Sequence, residues 1–185
     1  MARIPYVERD SGTAETKELY DELAHNAATR QFNFRDIPNI MKALANSPQL
    51  AQRVSQLGHY FMNELSLEPR LRELAVLILM KRLHCDYGFV NHIGIAQQTG
   101  LSREQIDHID SYQTSPLFSD DDKLILRYAE ELTLRAQVED ELYRQVESRI
   151  GRLNVLDLTA AVGFWNMMAR NLNGLQIDLE PERRS

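Results

Sequence analysis

Leu74 to Met80 is an unbroken apolar run, Leu-Ala-Val-Leu-Ile-Leu-Met, set between Arg72-Glu73 and Lys81-Arg82. Ser66 and Pro69 open a helix that continues through Arg82, and its centre is apolar on all sides. A helix with no polar face has nothing to offer water and needs neighbours on every side. A chain of 185 residues, 43% of them hydrophobic, is long enough to supply that cover within one domain. The run itself is far too short to span a bilayer.

The rest of the chain supplies helices and almost no strand signal. No period-two run of β-branched and aromatic residues occurs, and no Asn-Gly or Asp-Gly hairpin turn separates apolar segments. A first helix follows Thr13, with Leu19, Tyr20 and Leu23 on one face, and ends before the polar stretch Gln31 to Asp36. A short one follows Pro38 on Ile40, Met41 and Leu44. Ser47-Pro48 is an N-cap with proline at the first helical position, and Leu50, Val54, Leu57, Phe61 and Leu65 continue it at helical spacing. A helix starting near Cys85 or Asp86 carries Phe89, Val90, Ile93 and Ala96 to a stop at Gly100. Ser102 with Gln105, and Ser119 with Asp122, are capping-box pairs that open two more helices. The segment after Asp140 stops at Gly151, and a long apolar helix from Val155 to Leu172 ends at Asn173-Gly174, leaving an extended charged tail from Gln176. The expected fold is an all-α bundle forming a single domain over 1–185.

A net charge of −6 works against nucleic acid and anionic membrane as partners, since both demand a basic surface. Charges such as Glu15, Lys17, Glu18, Asp21 and Glu22 interleave as solvated helix faces do. The N-terminus has no apolar stretch of signal-peptide length, so a cytoplasmic protein is expected. One cysteine, Cys85, excludes an internal disulfide and a multi-thiol zinc site, and neither a metal nor a cofactor is expected.

Three side chains could carry chemistry. Glu73 lies one turn into the helix that becomes wholly apolar, and partial desolvation predicts a raised pKa, useful in proton transfer. The same position also suits a glutamate favoured by the helix dipole or paired at the surface with Arg70 or Arg72. Cys85 stands where one helix ends and the next begins, so exposed N–H groups there favour its thiolate; inert packing as a small core residue fits equally. His92 follows about two turns later on the same helical face, which allows a shared pocket but separates the two by roughly 10 Å along the helix. His84 and Tyr87 beside them offer a donor or a proton carrier.

The stretch Arg70-Leu71-Arg72-Glu73, then Cys85-Asp86-Tyr87-Gly88-Phe89-Val90-Asn91-His92, then Ala96 and Gly100-Leu101-Ser102 resembles the core of the carboxymuconolactone decarboxylase family and its alkyl hydroperoxidase D-like members. Redox members of that family carry a glutamate twelve residues before a Cys-x-x-Cys and a histidine four residues after the second cysteine. The spacings Glu73 to Cys85 and Gly88 to His92 match. The resemblance extends more loosely over 48–179, with 1–46 as an N-terminal helical extension. It implies an all-α fold whose site sits on one helical hairpin, assembly into trimers or hexamers, and Glu73 and His92 as proton relays. It also implies a catalytic set of Glu73, Cys85 and His92, with Tyr87, Gly88 and Asn91 lining a small-molecule site.

The departure is Gly88, which stands where redox members have the attacking thiol, so peroxide reduction through an internal disulfide is chemically closed. What remains is acid–base chemistry on a small carboxylated or enolisable molecule, as in a decarboxylase-like lyase or an isomerase. His92 would donate the proton, Glu73 would orient it or share its proton, and one of Arg72, Arg82 or Arg170 would hold a substrate carboxylate. Removing side-chain volume at Gly88 could open room for a ligand. The alternative is a single-thiol peroxidase in which Cys85 is oxidised to a sulfenic acid and regenerated by an external thiol. A third reading is an inactive oligomeric binding module.

Overall fold

The computed structural model describes residues 2–27 and 37–183, and the polar stretch expected to follow the first helix lies outside them. The helices are α1 (Ala14–Ala27), α2 (Asn39–Leu44), α3 (Pro48–Asn63), α4 (Pro69–Arg82), α5 (Asp86–Gln98), α6 (Arg103–Asp107), α7 (Asp120–Arg135), α8 (Asp140–Ile150) and α9 (Arg152–Leu175), with short 3-10 turns at Arg9–Ser11, Ile109–Ser111 and Pro181–Arg183. No strand occurs among the described residues. No helix among them is long and apolar enough to cross a membrane.

The residues divide into two compact units. One takes the chain up to Phe61 together with the segment from Leu172 onward; the other is Met62–Asn171. In the first, Leu19, Tyr20 and Leu23 of α1 are buried, and the Tyr20 hydroxyl donates to the Val7 carbonyl. The charged tail is fastened by its own polar groups. Asp178 accepts from the Ala2 N–H at 3.0 Å, and the Glu180 carboxylate accepts from the Asn39 N–H at the start of α2 at 2.9 Å.

In the second unit α4 is the central element, packed against α5 and α7, and every residue from Arg72 to Met80 is buried. Ion pairs clip both of its ends. At the start, Arg70 makes two bonds to Asp122 at 2.6 and 3.0 Å; at the end, Arg82 meets Glu130 of α7 and, at 2.6 Å, Asp110. The loop before α4 is held by the buried Asp157 of α9, which accepts from the N–H groups of Ser66 and Leu67 at 2.9 and 3.2 Å. Both capping boxes form, with Ser102 and Gln105 at α6 and with Ser119 and Asp122 at α7. Gly100 and Gly151 take left-handed φ of +98° and +81° at the ends of α5 and α8, conformations in which a Cβ would clash with the backbone.

Two elements depart from the sequence expectation. On α3, Leu50 and Leu57 are 51% and 45% exposed, while Ala51, Val54, Ser55 and Phe61 are buried. That buried stripe includes the small residues Ala51 and Ser55, and a pattern that follows only large apolar side chains misses it. On α9, Asn173 and Gly174 remain helical, and the reversal comes at Gln176 with φ +53°. The Ile177 N–H bonds the Leu172 carbonyl at 3.0 Å, and Ile177 is buried. A helix stop of this kind settles where the apolar residue after the turn can be covered.

The Asp122 carboxylate serves both the capping box and Arg70, so Ser119 supports a charged contact as well as a helix end. Ser119→Ala is expected to lower unfolding stability by about 1 kcal/mol, measured by urea denaturation, with no change in helical content at low denaturant.

Candidate functional site

A tight helical reversal positions the candidate site. After α4, the His84 N–H bonds the Lys81 carbonyl at 3.0 Å and the Cys85 N–H bonds the Met80 carbonyl at 2.8 Å, with His84 in the left-handed region at φ +50°. These are the paired bonds of a Schellman stop. They turn the chain at once into α5, with Cys85 as its N-cap residue.

The reversal brings Glu73 of α4 against His92 of α5. His92 Nδ1 lies 2.7 Å from Glu73 Oε2, and Glu73 is 0% exposed. The second oxygen, Oε1, accepts from Arg72 Nε at 2.9 Å, and Arg72 Nη1 donates to the Met62 carbonyl at 2.7 Å. Trp165 of α9 meets the His92 ring edge-on, with ring centroids 4.5 Å apart. Burial alone would raise the Glu73 pKa, as the sequence suggests; the charge and hydrogen bond of His92, followed by those of Arg72, outweigh it and hold the carboxyl below the ordinary carboxylate value. The expected raised pKa is therefore corrected to a lowered one. Arg72, already offered as a partner by the local sequence, and His92 from the next helix together convert a buried acid into a buried anion.

Cys85 has different surroundings. It is 1% exposed, and burial pushes its thiol pKa up despite the Gly88 N–H, which favours the thiolate; the nearby Asp86 charge adds to the rise. Neither Glu73 nor His92 is among the groups that shift it. A Cβ added at Gly88 would stand 2.3 Å from Met80 Sδ and 3.2 Å from Cys85 Sγ. The room beside Gly88 is thus filled by the Met80 thioether, and the glycine opens no ligand space there. Tyr87 and Asn91 are buried on the same helix, and Asn91 Nδ2 donates to the Tyr87 carbonyl at 2.9 Å.

Among the candidate arginines, Arg72 faces Glu73, and Arg82 faces Glu130 and Asp110. Arg170 bonds the Asn166 side chain and carbonyl, and it lines a cavity of about 450 Å³ with Thr133, Thr159, Gly163 and Met167. A second cavity of about 300 Å³ lies along the α4–α5 reversal, lined by Met80, Lys81, His84, Asp86 and Phe89 among others. No group of three or more histidine, cysteine, aspartate or glutamate side chains is placed to share a metal ion among the described residues. Sequence reasoning did not single out Met80, Trp165 or the Met62 carbonyl as parts of the site. The lone tryptophan offered a signal; a main-chain carbonyl offers none.

The all-helical arrangement of the described residues is the fold shared with alkyl hydroperoxidase D-like structures. The chain superposes on the alkylhydroperoxidase AhpD core of an uncharacterized peroxidase-related protein from Ralstonia eutropha JMP134 with a TM-score of 0.81 at 16% identity, covering 98% of this chain and 94% of that one. The debrominase Bmp8, as a cysteine-to-alanine variant in complex with 2,3,4-tribromopyrrole, superposes with a TM-score of 0.78 at 14% identity, covering 98% and 93%. In sequence, the uncharacterized protein YnjA of Escherichia coli (strain K12) is 28% identical over 126 residues, 64% of this chain and 69% of YnjA. No protein-family model matches the chain.

Two outcomes follow from this packing. Gly88→Ala is expected to lower stability by about 1–3 kcal/mol through overpacking against Met80, and Gly88→Ala with Met80→Ala by less than the sum of the two single changes, in a denaturation cycle. Because the folded pKa of Glu73 is lowered, its contribution to stability is complete above the ordinary value of 4.5 and is lost as pH falls through the lower folded value. Unfolding free energies measured from pH 6 downward should therefore fall more steeply for the wild type than for Glu73→Gln in the window between 4.5 and the lower folded value.

Proposed function

We propose that the protein is an enzyme of acid–base chemistry that moves a proton to or from carbon in a small carboxylated or enolisable molecule, with decarboxylation or a related lyase or isomerase step as the reaction. The supporting observation is the 2.7 Å bond between His92 Nδ1 and a Glu73 carboxylate with no exposed surface. An ionised carboxylate only accepts, so the hydrogen of this bond sits on Nδ1, and Nε2 is the nitrogen left to exchange a proton. Nε2 is then the base, and the acid once protonated. In a decarboxylation the C–C bond to the departing CO2 breaks and its electron pair stays on carbon as an enolate-like anion. That anion takes the Nε2 proton of the imidazolium, whose charge Glu73 stabilises in the meantime.

The debrominase that shares the fold is in complex with a small molecule, 2,3,4-tribromopyrrole. The thiol route has less support. Peroxide reduction requires an accessible thiolate of low pKa, and Cys85 is buried with its pKa raised.

The test is deuterium incorporation and CO2 release from a panel of small β-keto acids, lactone carboxylates and 1,3-dicarbonyls in D2O, followed by NMR. His92→Ala is expected to slow a positive reaction by about 100-fold or more, and Glu73→Gln by about 10-fold or more, while Cys85→Ser stays near the wild type. Unchanged rates in both the His92 and Glu73 variants would rule the proposal out.

A further inference from the structure

We infer that the outer face of α9 is a two-fold interface: a second copy of this chain lays its own α9 antiparallel across it, with Ala160 of each copy against Gly163 of the other.

Leu153, Leu156, Ala160, Gly163, Met167 and Arg170 follow one another at alternating steps of three and four residues, which sets all six on one stripe of the helix. All six are exposed, the two leucines at 59% and 64% and Met167 at 40%. Between Leu153 and Ala169 the only charged residue is Asp157, and it is buried, accepting from the N–H groups of Ser66 and Leu67. Charge is depleted in this way at the centre of an interface and not on a solvated helix face. The leucines and the methionine leave on the order of 300 Å² of apolar surface in water on each copy, the size at which a patch on a soluble protein marks a contact. A stable interface buries about 800 Å² on each partner, an apolar centre within a polar rim, and the stripe supplies that centre.

The order of sizes says what covers the face. Read from either end, the stripe runs large, large, small, small, large, large. Antiparallel helices with this spacing meet in layers that pair Leu153 with Arg170, Leu156 with Met167 and Ala160 with Gly163 of the other copy. Every layer sets large against large or small against small, which is the self-complementarity that a two-fold contact between identical chains requires. An unrelated partner places no such demand on the sequence. The small central layer lets the two backbones cross closely, and the long side chains fill the space where the helices splay apart.

Two features of the chain agree with a helix at this crossing. A Cβ added at Gly163 would meet no atom within 4 Å, so packing inside the chain does not call for a glycine that weakens the helix interior. The cavity of about 450 Å³ is walled on α9 by Gly163, Asn166, Met167 and Arg170 among others. Those four residues form one hole of the kind that a side chain from a facing helix fills, and Leu156 of the other copy stands at its level.

The experiment is the mass of the full chain in solution, by sedimentation equilibrium over a wide range of concentration. The wild type is expected to contain an even number of copies. Leu156→Lys and Met167→Glu, at exposed positions, are each expected to halve that number with an unchanged circular dichroism spectrum. Both substitutions in one chain set each lysine opposite a glutamate of the other copy and should restore the wild-type mass, whereas parallel helices would set lysine against lysine. Leu156→Asn or Met167→Asn is read in place of a single charged variant that fails to fold. A wild type with an odd number of copies, one included, would leave the stripe to a different partner and overturn the proposal. Single variants of wild-type mass, or a double variant no heavier than the single ones, would overturn it as well.

Discussion

A carboxylate shut away from water must be neutralised from within the protein, and much of the second unit is arranged around that requirement. Glu73 lies in a helix whose residues from Arg72 to Met80 are all buried, so neither of its oxygens can turn to solvent. One oxygen is met by the neighbouring arginine and the other by a histidine from the next helix. The arginine in turn donates to a main-chain carbonyl at the end of α3. Each partner constrains an element: the segment that carries Met62, the start of α4, and the angle at which α5 returns. Ion pairs at both ends of α4 hold it to α7 and to Asp110.

The helices were readable in the sequence because their boundaries are chemical. Ser102 and Ser119 act as caps, and Gly100 and Gly151 take the left-handed turns that glycine accommodates. Where the signal was a missing side chain, the reading slipped. Ala51 and Ser55 set the buried face of α3, yet Leu50 and Leu57 dominate the visible pattern. Glu73 and His92 were legible as candidates, and their spacing resembled a known family core. Their direct bond was not legible, because contact across a hairpin depends on the length of the reversal and the rotation of both helices. The charge state of Glu73 was beyond reach for the same reason: Arg72 is visible beside it on α4, but the larger opposing contribution comes from His92 across the hairpin.

Cys85 illustrates the limits of position as a guide to reactivity. It stands at the N-terminus of α5, where N–H groups favour a thiolate, and Gly88 supplies one. Burial wins: Cys85 is almost wholly enclosed, and the space beside Gly88 is bordered by both the Met80 thioether and the Cys85 sulfur. Gly88 and Met80 are thus two halves of one packing solution. A side chain at 88 and a methionine at 80 compete for the same volume, so the residue type at one position restricts the other even though they lie on different helices.

The reversal between α4 and α5 is held by main-chain bonds from His84 and Cys85, while the His84 side chain is exposed. The angle of the hairpin is therefore written in backbone geometry and not in the identity of the residue at its tip. Position 84 can drift in sequence across many residue types without disturbing the alignment of acid and imidazole, provided the newcomer tolerates a left-handed bend. The outer rim of this region is free to diversify while its interior stays in register.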